Sequence, residues 1–156
     1  MSGRFSVGPF GRAGAPARRL NILVADDDPD TVATLAALLE SEGHQVRGVH
    51  RSTEVLGAAD ELKPDVVILD LQMPEVSGYD LARWLRSRHG KRCPVLIAVT
   101  GVDTRPSDKQ ISLLSGFDYY VMKPYYVGDL LSLTLQAAHA QMERARSGQT
   151  GGDGDA

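Results

Sequence analysis

Short apolar runs alternate with stretches of helical periodicity between residues 20 and 146. A continuous apolar run bounded by turn signals is typical of a strand buried on both faces, whereas apolar residues spaced three and four apart indicate an amphipathic helix. The pattern predicts five strands, at Asn21–Ala25, Gln45–Val49, Asp65–Asp70, Pro94–Val99 and Phe117–Met122. It predicts five helices, one from Pro29 to a stop at Gly43 and the others at Ser52–Leu62, Tyr79–Arg88, Ser107–Ser115 and Tyr126–Arg146.

Two of these helices begin at recognisable caps. Asp28 precedes Pro29 and is predicted to be an N-cap, because its side chain can accept a hydrogen bond from the first turn and proline fits the first helical position. Ser52 is predicted to cap the second helix in the same way. The apolar face of the first helix is formed by Val32, Leu35, Ala36 and Leu39.

Strands that alternate with helices through short loops predict an α/β fold. The expected architecture is one doubly wound parallel sheet with helices on both faces and right-handed crossovers. In such a sheet the carboxyl ends of the strands lie at the same edge, where ligands bind. Each polar residue at this edge has an ordinary explanation as a cap or a solvated side chain, but together they predict a functional site. They are Asp26, Asp27, Asp70, Thr100 and Lys123.

Composition limits the classes of function. The 156 residues, 42% of them hydrophobic, suit one domain with a real core. The formal net charge of -3 gives no support to nucleic-acid binding. Cys93 is the single cysteine, which excludes an internal disulfide and the multi-cysteine metal frameworks and suits a reducing compartment. No run reaches the ~18 apolar residues of a membrane span, so we expect a soluble, cytoplasmic protein with no membrane contact.

The two ends differ in composition from the middle. Residues 1–19 hold four arginines and no acid, interrupted by glycine and proline, and are predicted to be a disordered basic arm. Residues 147–156 hold four glycines, two aspartates and no large apolar residue, and are predicted to be a disordered tail. The folded domain is therefore predicted at residues 20–146.

The predicted site contains three carboxylates, which cannot all stay ionised in one pocket unless a cation compensates them. Mg²⁺ is the natural partner, because it takes oxygen ligands and combines one or two carboxylates with water or phosphate oxygens. A metal beside a carboxylate, the hydroxyl of Thr100 and the ammonium of Lys123 is a combination typical of sites that transfer phosphoryl groups. The best nucleophile is Asp70 on the central strand, which would become an aspartyl phosphate.

Four segments carry a resemblance to a known family. They are Ile22-Leu-Val-Ala-Asp-Asp-Asp28, Val67-Ile-Leu-Asp-Leu-Gln-Met-Pro74 with Ser77-Gly78, Ala98-Val-Thr-Gly101 and Gly116-Phe-Asp-Tyr-Tyr-Val-Met-Lys-Pro124. Together and in this order they are specific, and residues 20–146 resemble the receiver domain of the two-component response regulator family. The resemblance implies a CheY-like, flavodoxin-like sheet with strand order 2-1-3-4-5, a topology of which receivers are themselves an example.

The resemblance also implies the chemistry of the site. Asp70 would accept a phosphoryl group from a phosphohistidine on a sensor histidine kinase or a histidine phosphotransfer protein. Asp27, Asp70 and the backbone carbonyl of Gln72 would hold Mg²⁺, and Asp26 would act largely through metal-bound water. The domain would be a phosphoacceptor in signalling, and would not be an enzyme acting on other substrates.

Further implied roles concern the switch. Thr100 and Lys123 would bind the phosphoryl oxygens, and the Lys123–Pro124 bond would be cis. Tyr120 matches the family's switch aromatic, which turns inward when the hydroxyl of Thr100 swings to the phosphate. The fourth helix, fifth strand and fifth helix would then signal to an unknown downstream protein, and a homodimer through that face is left open.

Positions beside the phosphoacceptor are expected to tune the lifetime of the phosphoryl group. Gln72 and Val102 match the family's tuning positions, two residues after Asp70 and Thr100. Val102 cannot position an attacking water, so slow to moderate autodephosphorylation is predicted. Gly101 is small and is expected to leave room for a bulky phosphodonor.

Alternatives remain for the whole protein. Too few residues follow Arg146 for an output module, which predicts a receiver with no DNA-binding output domain, either stand-alone or separated from a hybrid kinase. A phosphatase of the haloacid dehalogenase type also uses an aspartyl phosphate with Mg²⁺, and Asp26-x-Asp28 superficially fits, although Asp30 replaces its usual threonine or valine. A receiver-like module without the phosphate switch is the other rival, although all five expected site residues are present.

Overall fold

The computed structural model describes residues 19–101 and 116–155, with side chains as far as residue 143. Within these ranges one five-stranded sheet has the order β2-β1-β3-β4-β5, and every neighbouring pair of strands is parallel. The predicted fold class and strand order are confirmed. The strands are β1 (Asn21–Ala25), β2 (Gln45–Val49), β3 (Val66–Asp70), β4 (Val95–Thr100) and β5 (Tyr119–Met122).

Helices connect and flank these strands. They are α1 (Pro29–Ser41), α2 (Val55–Leu62), α3 (Gly78–His89) and a C-terminal helix (Val127–Asp155), with short 3₁₀ turns at Ser52–Glu54 and Gly90–Arg92. The predicted helix at Ser107–Ser115, the tuning residue Val102 and nearly all of the predicted basic arm lie outside the described residues. No helix among the described residues is both long and apolar enough to cross a bilayer.

The N-terminus of α1 forms as the sequence predicts. Asp28 has extended backbone angles, and its Oδ1 accepts a hydrogen bond of 3.0 Å from the backbone N–H of Asp30. Its Oδ2 accepts a second bond of 2.9 Å from the hydroxyl of Thr31. Pro29 occupies the first turn, where its missing N–H is not needed. The helix ends before Gly43, whose φ of 98° suits glycine.

The predicted cap of the second helix is wrong. Ser52 does not cap α2, because its hydroxyl donates to the carbonyl of Pro74 at 2.6 Å and accepts from the N–H of Val76 at 2.9 Å. A 3₁₀ turn at Ser52–Glu54 leads into the helix instead. The serine therefore holds the segment that follows β3.

The predicted end of the last helix is also wrong. The structure continues the C-terminal helix from Val127 to Asp155, past Arg146 and through residues that the sequence predicts as a tail. No proline interrupts this stretch, and in a formed helix each further residue adds a backbone hydrogen bond. A glycine then lowers helix stability by about 1 kcal/mol without forcing the helix to end.

The hydrophobic core lies in two clusters on opposite faces of the sheet. Because successive strand residues point to opposite faces, Leu23 and Ala25 of β1 pack beneath α2 and α3. Ile22 and Val24 pack beneath α1 and the C-terminal helix. Every residue of β3 is buried, as expected for a strand covered on both faces. The helices leave the carboxyl edge of the sheet for polar side chains.

A buried histidine ties the start of β1 to the start of β2. His44 is 6% exposed, and its Nδ1 accepts a hydrogen bond of 3.0 Å from the backbone N–H of Leu20. Burial lowers the pKa of His44, and the nearby carboxylates of Glu42 and Asp65 oppose this only in part. The folded protein therefore holds His44 neutral at a pH where the unfolded chain is already taking up a proton.

We predict that His44→Asn reduces the loss of stability on acidification. The contribution of His44 is fully present above the unfolded pKa of about 6.5 and is lost as the pH falls through the lower folded pKa. Asparagine offers an acceptor at the same place but does not titrate. Urea unfolding between about pH 8 and pH 5 should give a steeper fall in the free energy of unfolding for wild type. Parallel curves for the two proteins would contradict this role of His44.

Candidate functional site

The carboxyl edge of the sheet brings the predicted polar residues together. Asp26 and Asp27 directly follow β1, Asp70 ends β3, Thr100 ends β4 and Lys123 directly follows β5. The central position of β3 places Asp70 between the strands that carry the others. The carboxylate oxygens of Asp26, Asp27 and Asp70 lie within 4.8 Å of one another. The sequence alone therefore identifies residues that the fold does assemble, while their chemical roles stay predictions.

Lys123 lies against the two buried carboxylates. Its Nζ donates a hydrogen bond of 3.2 Å to Oδ2 of Asp70 and lies 3.9 Å from Oδ2 of Asp26. The Lys123–Pro124 peptide bond is cis, as the sequence resemblance implies. One ammonium thus faces two carboxylates, and the third carboxylate at Asp27 adds a further negative charge.

Backbone hydrogen bonds fix the other oxygen of each buried carboxylate. Oδ1 of Asp26 accepts from the N–H of Asp28 at 2.9 Å, and Oδ1 of Asp70 accepts from the N–H of Gln72 at 2.9 Å. Each side chain is therefore held by a short Asx turn that its own sequence supplies. The Oδ2 atoms are the ones that face Lys123.

Burial makes these charges strongly interdependent. Asp26 and Asp70 are 4% and 2% exposed, whereas Asp27 is exposed. Burial first, and then the negative charge of Asp70, raise the pKa of Asp26 to about 6, although the N–H of Asp28 and Lys123 oppose the shift. Burial by itself would lower the pKa of Lys123, but the carboxylates of Asp70 and Asp26 outweigh it and the pKa is raised. Lys123 therefore stays protonated.

The donor set fits Mg²⁺. Three carboxylates within 4.8 Å are hard oxygen ligands, and Lys123 compensates only part of their charge. The raised pKa of Asp26 records this uncompensated charge together with its burial. Asp27 lies on the exposed side, which gives a hydrated cation access to the pocket. Asp27, Asp70 and the backbone carbonyl of Gln72 remain the predicted direct ligands.

The backbone at the end of β4 is fixed on both sides. The N–H of Leu71, just after β3, donates to the carbonyl of Val99 at 2.9 Å. The N–H of Lys123, just after β5, donates to the carbonyl of Thr100 at 2.8 Å. Thr100 itself is partly exposed at this edge. The hydroxyl of Thr100 therefore sits on a backbone that both neighbouring strands hold in place.

The side chain of Gln72 contacts Gly101, which the sequence does not predict. A Cβ added to Gly101 would lie 2.3 Å from Nε2 of Gln72, so the amide of Gln72 lies directly over this glycine. The small residue therefore makes room for Gln72, and the expectation that it leaves space for a phosphodonor is untested. The two residues follow different strands, and no local sequence signal links them.

The aromatic residues near Lys123 differ in their surroundings. Tyr125 is half-buried, and burial first, then the charge of Asp26, raise the pKa of its phenol. It therefore lies within the electric field of the carboxylate pocket, which the sequence does not reveal. Tyr120 is 51% exposed and Tyr126 is 81% exposed, so both face away from the core. Tyr120 is thus in an outward position in this structure.

Comparison with known proteins gives a consistent family assignment. A family model described as the response regulator receiver domain matches residues 22–134. The chain is 38% identical over 114 residues to the DNA-binding response regulator MtrA of Mycolicibacterium smegmatis, covering 73% of this chain and 48% of that protein. It is 33% identical over 129 residues to the transcriptional regulatory protein GltR of Pseudomonas aeruginosa, covering 82% of this chain and 53% of GltR.

A solved structure extends the similarity to three dimensions. A response regulator receiver domain protein from Clostridium thermocellum shares 30% identity with a TM-score of 0.66, over 81% of this chain and 96% of that one. The chain spans about half the length of the curated relatives MtrA and GltR. The matched region is the one that contains the carboxylate pocket.

The prediction of a receiver with no DNA-binding output is contradicted by these relatives. MtrA is named as a DNA-binding response regulator, and this chain matches only 48% of its length. A receiver similar to this one is therefore joined to a DNA-binding output in MtrA. The net charge of -3 is that of a receiver, and the charge of a receiver does not indicate which output its relatives carry.

We predict that Asp26→Asn stabilises the metal-free protein at about pH 8 by roughly 1–2 kcal/mol. The folded pKa of Asp26, about 6, lies above the ordinary value of 3.8, so its ionised form destabilises the fold above that pH. Asparagine still accepts from the N–H of Asp28 without the charge. The advantage should shrink as the pH falls from about 6 to about 4, which urea unfolding in EDTA measures.

The exposed neighbour provides the matched control for this measurement. Asp27→Asn removes the same charge from an exposed side chain, and it should change stability less than Asp26→Asn. A destabilised Asp26→Asn protein, or one whose advantage does not depend on pH, would show that the charge on Asp26 is already compensated.

Proposed function

Since the chain belongs to the response regulator receiver family, we propose that Asp70 accepts a phosphoryl group from a phosphohistidine in a Mg²⁺-dependent reaction. The observation that supports this best is the pairing of two buried carboxylates, Asp26 and Asp70, with one ammonium, that of Lys123, in the part of the chain that the structure describes. An ordinary structural ion pair needs one carboxylate for one lysine. The excess of negative charge favours a site that binds a cation and then a phosphoryl group.

The proposed transfer takes place on a side-chain oxygen of Asp70. The oxygen attacks phosphorus, a P–O bond forms, and the P–N bond to the donor imidazole breaks, so that the imidazole leaves with the bonding electron pair. Bound Mg²⁺ supplies charge neutralisation for the phosphoryl oxygens. The N–H of Gln72 already orients the carboxylate through Oδ1, which leaves Oδ2 as the atom nearer to Lys123.

Lys123 and Thr100 are proposed to hold the transferred group. The ammonium of Lys123 is already 3.2 Å from Asp70 and needs little movement to reach an oxygen attached to that side chain. The hydroxyl of Thr100 would supply a second contact from the end of β4. Its reorientation would free space for Tyr120, which now points outward with 51% of its surface exposed.

The proposed signalling face is formed by β5 and the C-terminal helix, with the predicted fourth helix beside them. Tyr120 and Met122 are two residues apart and so point to the same side of β5. They are 51% and 41% exposed and give this face an apolar surface. We include in the proposal that the domain acts in the cytoplasm and controls a DNA-binding output, as the name of its relative MtrA suggests. Its chemistry would be confined to its own phosphorylation and autodephosphorylation.

The two rival functions are less well supported. A phosphatase of the haloacid dehalogenase type would use an aspartate after the first strand as its nucleophile, whereas here the carboxylate that Lys123 binds more closely is Asp70 on the central strand. A silent receiver-like module would have no need to bury two carboxylates beside one lysine. Val102, outside the described residues, stays part of the proposal as the reason for slow to moderate autodephosphorylation.

We predict that acetyl phosphate with Mg²⁺ adds one phosphoryl group to the protein and adds none to Asp70→Asn. Asparagine keeps the shape of the side chain but is not a carboxylate nucleophile. Intact-protein mass spectrometry should detect an adduct that is stable in acid and labile in base, and EDTA should abolish its formation. Rapid hydrolysis of unrelated phosphomonoesters would favour the phosphatase, and no adduct from acetyl phosphate or a phosphohistidine donor would favour the silent module.

We predict that Gly101→Ala slows autodephosphorylation severalfold. The added Cβ would lie 2.3 Å from Nε2 of Gln72, so the amide must move away from its place over Gly101. A displaced amide holds an attacking water less well. Decay of the phosphorylated protein should be slowed in Gln72→Ala to a similar extent, and the double variant should be no slower than either. Additive effects would mean that Gly101 acts independently of Gln72.

A further inference from the structure

A buried hydroxyl joins the turn before α2 to the segment between β3 and α3. Ser52 is 1% exposed, and its Oγ donates to the carbonyl of Pro74 at 2.6 Å while accepting from the N–H of Val76 at 2.9 Å. A single side-chain atom thus satisfies two backbone groups of the same segment. The site chemistry derived above does not use this residue.

The neighbouring residues strengthen the same connection. Arg51 Nη2 lies 2.9 Å from Oε2 of Glu75, between the two backbone groups that Ser52 binds. Glu75 has a φ of 81°, a left-handed conformation that a residue with a Cβ rarely adopts without support. The surrounding contacts therefore hold this turn in a shape that its own residues do not favour.

The other end of the segment is fixed at the site itself. The N–H of Leu71 donates to the carbonyl of Val99, and the N–H of Gln72 donates to Asp70, both at 2.9 Å. Met73 is buried at 6% exposure and anchors the segment in the core. Gln72 therefore lies between a fixed point at Asp70 and a second fixed point, held by Ser52, at Pro74.

We propose that Ser52 is a positioning residue for the cation site, because it fixes the segment that presents the backbone carbonyl of Gln72. The inference rests on the proposed function, in which that carbonyl binds Mg²⁺ together with Asp27 and Asp70. A carbonyl is aimed only by the backbone on either side of it, so its direction depends on both fixed points. Ser52 thereby acts on the metal through Pro74 and Val76, without touching it.

Only a hydroxyl group suits this position. Alanine or glycine would remove both hydrogen bonds of the hydroxyl and would leave the carbonyl of Pro74 and the N–H of Val76 only the 3.1 Å bond that they make to each other. The segment would then no longer be tied to the turn before α2, and it could move. Such a movement shifts the carbonyl of Gln72, and Mg²⁺ responds strongly because it demands near-ideal octahedral geometry.

The test measures Mg²⁺ affinity of the unphosphorylated full chain by isothermal titration calorimetry, well below the unfolding temperature. Ser52→Ala should bind Mg²⁺ about tenfold more weakly than wild type, which is typical for the loss of a residue that supports a metal ligand. Thr53→Ala, at the exposed neighbouring position, should bind normally. Val55→Ala should be less stable because Val55 is fully buried, and should still bind Mg²⁺ normally.

A matched pair isolates the hydroxyl from the shape of the side chain. Ser52→Thr and Ser52→Val introduce the same branched volume, but only threonine can donate and accept. The Ser52→Thr variant should therefore bind Mg²⁺ more tightly than the Ser52→Val variant. In phosphorylation by acetyl phosphate, Ser52→Ala should need about tenfold more Mg²⁺ for half-maximal rate yet reach the rate of wild type at saturation. A purely structural defect would lower the saturated rate as well.

The outcomes separate this inference from the proposed function. Wild-type protein that forms the Asp70 adduct, together with a Ser52→Ala variant of unchanged Mg²⁺ affinity, would overturn the role of Ser52 alone. Equal affinity of the threonine and valine variants would overturn it too. Wild type that binds Mg²⁺ more tightly than Ser52→Ala but forms no adduct would overturn phosphoryl transfer and leave the positioning role supported. Wild type that does not bind Mg²⁺ would overturn both.

Discussion

The candidate site is built around two buried carboxylates, those of Asp26 and Asp70, whose negative charge Lys123 compensates only in part. Asp26 and Asp70 are almost fully enclosed, and among the described residues Lys123 is the one cation that faces both of them. A buried carboxylate without compensation is strongly disfavoured, which is why the pKa of Asp26 rises to about 6. The fold tolerates this arrangement because the apolar clusters on both faces of the sheet stabilise the strands that carry these residues. In the proposed function, this uncompensated negative charge is what attracts the cation to the pocket.

The strands could be predicted because their signal is local and uninterrupted. Every residue of β3 is buried, so the sequence shows an apolar run that ends in Asp70 without a break. Parallel pairing then follows from the alternation with helices, and the meeting of Asp26, Asp70 and Lys123 follows from parallel pairing. The α1 cap at Asp28 is local too, since its partners Asp30 and Thr31 are the next residues along the chain.

Predictions failed where the partner is distant in sequence. Ser52 has the residue type and place of a helix cap, but it binds Pro74, 22 residues away, and only the fold brings the two together. Gln72 meets Gly101 for the same reason. The end of the C-terminal helix was misplaced because glycine weakens a helix without stopping it. A DNA-binding output such as that of MtrA leaves no trace in the charge or hydropathy of a receiver, so the charge of this chain could not test for one.

In the proposed function, the backbone around Thr100 determines how quickly the side chain can respond to phosphorylation. The carbonyls of Val99 and Thr100 accept hydrogen bonds from the segments that follow β3 and β5, so the backbone at the end of β4 is held on both sides. On a fixed backbone the hydroxyl of Thr100 can move by rotation about the Cα–Cβ bond, and side-chain rotations take picoseconds to nanoseconds. The strands need not separate for this reorientation to occur. In the proposed function, the lifetime of the signalling state is then set by hydrolysis of the acyl phosphate and not by a rearrangement of the backbone.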